Sequence, residues 1–143
     1  MGDISKNFSY SEFERSELAA KNGIDNRIPN NTVRAAIRGL VLEVLQPLRD
    51  AQGVRVDINS GWRCEELNKL AGGVETSQHR KGEAADIKSP FFLPLELARS
   101  IVALKLPFDQ LILYPTFVHV SHKLKGKQRG MILYNRRYTG EKI

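Results

Sequence analysis

Apolar residues recur at three- to four-residue intervals through Val33, Ile37, Leu40, Val41, Val44, Leu45 and Leu48, the spacing of a helix with one buried face. It predicts a helix over residues 32–52, with a kink or a break and restart at Pro47. A shorter helix is predicted over 10–21, because Ser9 and Glu12 have the spacing of a capping box and Gly23 stops the pattern. The polar stretch 24–31 between them reads as a loop whose Asn residues offer a cap to the long helix. Residues 54–59 then alternate apolar and polar as a half-buried strand does. A short helix over 65–70 follows, closed by Gly72-Gly73. Further on come a strand over 84–88, an amphipathic helix over 93–106, strands over 108–114 and 117–122 joined at Pro115-Thr116, and a last strand over 130–134. The tight joint predicts an antiparallel hairpin. The fold class expected is α+β, a small antiparallel sheet with surrounding helices.

Composition narrows the picture. A chain of 143 residues is expected to be one domain, 1–143, with a core large enough to stand without disulfides or a structural metal. Cys64 is the only cysteine, which excludes an intrachain disulfide and a Cys-rich zinc ribbon, and it reads as a small buried hydrophobe. Neither a bilayer-length apolar run nor a signal segment is found, so a soluble monomer, cytoplasmic when made, is expected. The net charge of +6 sits in the tail 123–143, where seven Lys and Arg face Glu141 alone. Such a tail could meet an anionic wall polymer, a nucleic acid or a membrane surface, or be simply solvated. With no helix-turn-helix, and no aromatics between its basic residues beyond Tyr134 and Tyr138, a nucleic-acid partner ranks last.

The stretch Ser77-Gln78-His79-Arg80-Lys81-Gly82-Glu83-Ala84-Ala85-Asp86-Ile87 sets an imidazole and a carboxylate either side of a glycine. His119 supplies a second imidazole on an apolar strand, where an unpartnered one would be costly. Two His and one Asp make a three-ligand set with a position left open, as zinc requires when it activates water. His119 and Ser121 share one face of that strand and His122 takes the other, so His122 is not expected to be a ligand. Taken one at a time, each histidine reads more readily as an ordinary surface or hydrogen-bonded side chain than as a ligand.

The spacing Ser77-x-His79-x-x-Gly82-x-Ala84-x-Asp86, followed by His119, resembles the zinc D-alanyl-D-alanine metallopeptidases: carboxypeptidases, dipeptidases and phage L-alanyl-D-glutamate endolysins of the hedgehog/DD-peptidase fold. Asn59-Ser60-Gly61-Trp62-Arg63 is similar to that family's Ser-Gly-aromatic-Arg element, and the segments at Phe108–Ile112 and Tyr114–His119 resemble its peptidoglycan-associated branch. The resemblance implies His79, Asp86 and His119 as ligands of Zn2+, Arg63 as the catalytic residue on the substrate carbonyl or terminal carboxylate, and Ser77 as a substrate-binding residue. Trp62 is an aromatic in the expected place that core packing also explains. It further implies hydrolysis of an amide bond in a peptidoglycan stem or cross-link peptide; the absence of a signal segment fits a phage or prophage lysis protein released later to the wall, and fits an intracellular enzyme equally well. Tyr114 is a second candidate for binding substrate, as a donor to the oxyanion. One part departs from the pattern. Many members carry Glu or Asp three residues before the last zinc His as general base, and here that position is Thr116. Glu83 and Asp109 are weak substitutes, so the base stays unassigned, and a non-catalytic zinc module that binds wall peptides is the alternative.

Overall fold

A computed structural model describes residues 2–143. Its N-terminal half is helical. The predicted first helix divides into α1 (Tyr10–Glu14) and α2 (Glu17–Lys21), because Ser16 is extended and its hydroxyl accepts from the Ala19 N–H to start a new helix. Glu12 accepts from the Ser9 N–H at 2.7 Å, the reciprocal half of the predicted box. The long helix is α3 (Asn31–Leu40), a π-turn (Val41–Leu45) and α4 (Gln46–Gln52). Pro47 cannot offer an N–H to the preceding turn, and the chain widens just ahead of it, with Gln46 N–H bonding back to the Val41 carbonyl. Ile37, Leu40, Val44, Leu45 and Leu48 are wholly buried, each contributing about 1.5–3 kcal/mol of burial.

One sheet carries the rest, in the order β1-β2-β4-β3-β5. Its strands are β1 (Asp57–Ser60), β2 (Ala84–Lys88), β3 (Gln110–Leu113), β4 (Val118–Ser121) and β5 (Met131–Tyr134). α5 (Glu65–Leu70) follows β1, and α6 (Pro94–Ala103) packs on β3 and β4. The fold class is α+β, as the pattern predicts. The sheet, however, is mixed: β1, β2, β4 and β3 pair antiparallel, whereas β5 runs parallel to β3. The segment 122–130 crosses back past the start of β3 before β5 begins, which sets its direction, and periodicity carries no information about partner direction. On β3, Leu111 and Leu113 are fully buried while Gln110, Ile112 and Tyr114 take the other face. β1 is irregular between Ile58 and Ser60 and sets Ser60 opposite Asp86.

Candidate metal centre

The two central strands fix the first two groups. Asp86 on β2 lies directly opposite His119 on β4, so backbone pairing alone brings carboxylate and imidazole together. Asp86 Oδ1 is 3.0 Å from His119 Nδ1 and 3.3 Å from His79 Nε2. His79 arrives from outside the sheet, on a 3-10 turn (Gln78–Lys81) whose entry is capped by the Ser77 hydroxyl accepting from the His79 N–H. Gly82 ends the turn at φ 76°, and a Cβ there would lie 2.9 Å from both the Val33 side chain and its carbonyl oxygen. Only glycine combines that left-handed turn with that close approach to α3.

The other nitrogen of His79 fixes its tautomer. Nδ1 lies 2.7 Å from the Gly61 carbonyl oxygen, so Nδ1–H donates and the Nε2 lone pair is turned toward Asp86. Gly61 can present that carbonyl because its α-carbon lies against Phe13, where a Cβ would approach to 2.6 Å. Burial lowers the His79 pKa against the pull of Asp86 and keeps the ring neutral. Burial also pushes the Asp86 carboxyl up, but the hydrogen bond from His119 outweighs it and holds the group well below the usual carboxylate range. The neutral imidazole of His79, the ring of His119 and one carboxylate therefore meet at one point. Their ligand atoms all lie within 4.8 Å of one another, and bonds of about 2.1 Å in a tetrahedral site separate ligands by about 3.4 Å. The two Asp86–His separations match that spacing, so this set fits a divalent ion.

The centre opens on a cleft of about 530 Å³ that also contains Arg63, Ser77 and Tyr114. Arg63 is held by Nε–H to the Ser60 hydroxyl at 3.1 Å and by Nη1 to Asn68 Oδ1 at 3.4 Å, with Nη2 3.5 Å from Asp86 Oδ2. Its own backbone N–H donates to the His79 carbonyl, tying the arginine loop to the metal turn. Tyr114 stacks on Phe117 with centroids 4.3 Å apart, and burial, then Asp86, raise its phenol pKa. The structure therefore gathers all six of the site residues expected from sequence. His122 lies off the site, beside Gly39. Trp62 is buried in the core, with the Arg80 guanidinium 5.5 Å from its ring centroid.

The two substitute carboxylates do other work. Glu83 spends its oxygens on the Leu124 N–H and the Gln78 amide. Asp109 is fully buried and accepts from Arg129 N, Nε and Nη2 and from Gln78 Nε2. Hydrogen bonds from Arg129 hold its pKa at about 2. Thr116 is exposed in the β3–β4 turn and does not line the cleft. Sequence reasoning missed Gln78, Gln110, Ile112 and Arg129, which do. The alternation of Gln110, Ile112 and Tyr114 was a readable signal for β3. Nothing local marks Arg129. It also missed buried Asn26, which pins the 62–64 loop by donating to the Trp62 carbonyl and accepting from the Cys64 N–H.

Among the described residues no helix is long and apolar enough to cross a membrane. A search of curated proteins returns no match. A family profile described as Peptidase M15 matches residues 6–121, a span that holds all three candidate ligands, Arg63 and the whole of the sheet except β5. M15 peptidases are zinc-dependent. By that match, which takes in most of its length, the chain belongs to the Peptidase M15 family.

Proposed function

We propose that this chain is a zinc peptidase that hydrolyses an amide bond in peptidoglycan stem or cross-link peptides, within the D-alanyl-D-alanine peptidase and endolysin branch. The observation that carries the reading is the convergence of His79, Asp86 and His119 in one cleft with a guanidinium held beside them. Zinc held there supplies activated water at neutral pH and polarises the scissile carbonyl. Arg63 is the residue that faces the charge growing on the carbonyl oxygen. Its planar fork, already braced by Ser60 and Asn68, reaches that charge without reorganising. Tyr114, kept protonated by its raised pKa, donates a second hydrogen bond to the same oxygen. Ser77 binds the peptide backbone from the rim of the metal turn. Asp86 stays charged throughout and keeps both imidazoles oriented. The activity is tested by incubating zinc-loaded protein with purified peptidoglycan and separating the products: new peptide termini that vanish with chelator support it, and none at any pH or metal loading overturns it.

A second reading is a zinc-containing module that binds wall peptides without cutting them. Its specific support is that, among the described residues, Asp86 is the only carboxylate lining the cleft, which leaves no free acid to take the proton of the attacking water. The same zinc-loaded protein separates the two: wall peptide bound with no new termini favours the binding module, and chelator-sensitive hydrolysis excludes it.

A further inference from the structure

The cleft does not end at the metal centre. Thr76, Gln78 and Arg129 line it and also line a second groove, whose rim carries Lys81, Lys123 and Lys125. Four cations thus meet there from two segments, the metal turn and the 122–130 loop. The facing carboxylates, Glu83 and Asp109, have turned their oxygens inward to Leu124, Gln78 and Arg129. Lys123 Nζ is itself 3.8 Å from Asp109 Oδ1, and four cations against these two carboxylates leave the groove with an excess of positive charge.

The charge is also pre-positioned. Arg129 is gripped through Nε and Nη2 by Asp109, which leaves Nη1 with no hydrogen-bond partner among the described residues, and its side chain is 46 % exposed. The loop that carries the lysines is closed on itself: Gln128 accepts from the Lys123 N–H at 2.7 Å and donates to the Lys123 carbonyl at 3.0 Å. It is then pinned to the metal-turn segment by Leu124 N–H on the Glu83 carboxylate and His122 N–H on the Glu83 carbonyl. A fixed guanidinium with a free amino group, ringed by lysines, suits a carboxylate, because little ordering is left to be done on binding.

We propose that this groove is a second subsite of the cleft, which takes the free carboxylate of an acidic residue in a peptide whose scissile bond lies over the His79–Asp86–His119 centre. The inference rests on the peptidase reading and adds to it the substrate class, an acidic peptide.

The test uses zinc-loaded protein and two synthetic stem pentapeptides, L-Ala-γ-D-Glu-L-Lys-D-Ala-D-Ala with the glutamate α-carboxyl either free or carboxamide. Preference is read as a ratio of Kd, or of kcat/KM if the peptide is cut, so that absent turnover leaves the measurement intact. The free carboxylate should be preferred by about tenfold or more, the scale of a charge-assisted hydrogen bond. In the double variant Lys81→Gln/Lys125→Gln, both exposed positions whose loss should not disturb the fold, that ratio should fall toward one. Backbone amide signals of residues 123–129 should shift with the carboxylate peptide and not with the carboxamide. Equal affinity of the wild type for both peptides, or a ratio untouched by the double variant, overturns the subsite while leaving the peptidase reading to its own test.

Discussion

The two walls of the cleft are built by different means. The wall with Asp86 and His119 stands on paired central strands, and its side chains are nine-tenths buried or close to it. The wall with Arg129 stands on a loop and an exposed edge strand, and the guanidinium itself is held by one buried carboxylate, Asp109. Strand pairing fixes positions through many backbone bonds at once. The Asp109 carboxylate fixes the Arg129 side chain only as long as it stays charged. The first arrangement suits groups that must share an ion, and the second suits contact with a variable ligand.

The comparison is sharpened most by Arg63→Lys, on the rigid wall. Lysine keeps the charge and loses the fork that Ser60 and Asn68 brace, so kcat should fall by about 10²–10³ with zinc content unchanged. A loss confined to KM would mean that Arg63 holds the ground state alone. Gly82→Ala should come next. It places a Cβ against the backbone of Val33 at a left-handed φ, costs more than about 1 kcal/mol of stability, and should weaken metal binding by displacing His79. Unchanged melting and metal affinity would show that the metal turn is looser than described.

On the other wall, Asp109→Asn removes the charge that accepts from Arg129 and Gln78, and should cost about 1 kcal/mol, measured by urea unfolding. Arg129 is half exposed, so water screens the pair and keeps this effect the smaller one. The same group sets a pH window. Its pKa in the fold is about 2, below its ordinary 3.8, so its contribution is complete above about pH 4 and lost as pH falls through 2. The wild type should lose stability across that window more steeply than Asp109→Asn, and identical acid profiles would remove Asp109 from the account.

What could be read from sequence follows the same division. The candidate ligands were legible because the His79–Gly82–Asp86 spacing, followed by His119, resembles a family signature; the residue types alone also fitted ordinary hydrogen-bonded histidines. Helix boundaries were less so: Ser16 restarts a helix by local hydroxyl capping inside an otherwise continuous pattern. The parallel pairing of β5 and the arrival of Arg129 in the cleft were not legible at all. The first follows from the course of the 122–130 segment, and the second depends on Asp109, whose partner lies twenty residues away and carries no motif. Asn26 was hidden likewise, a polar residue in a loop with two of its three hydrogen bonds reaching across thirty-six residues or more.

The central claim is that His79, Asp86 and His119 hold one divalent ion between them. Zinc titration against a competing chelator, run on the wild type beside His119→Ala, measures it directly. The structure predicts one equivalent in the wild type and an affinity lowered by more than about a hundredfold in the variant, beyond the loss of a merely supporting contact. A wild type that binds no zinc, or a variant that keeps its full equivalent at the same affinity, would contradict it.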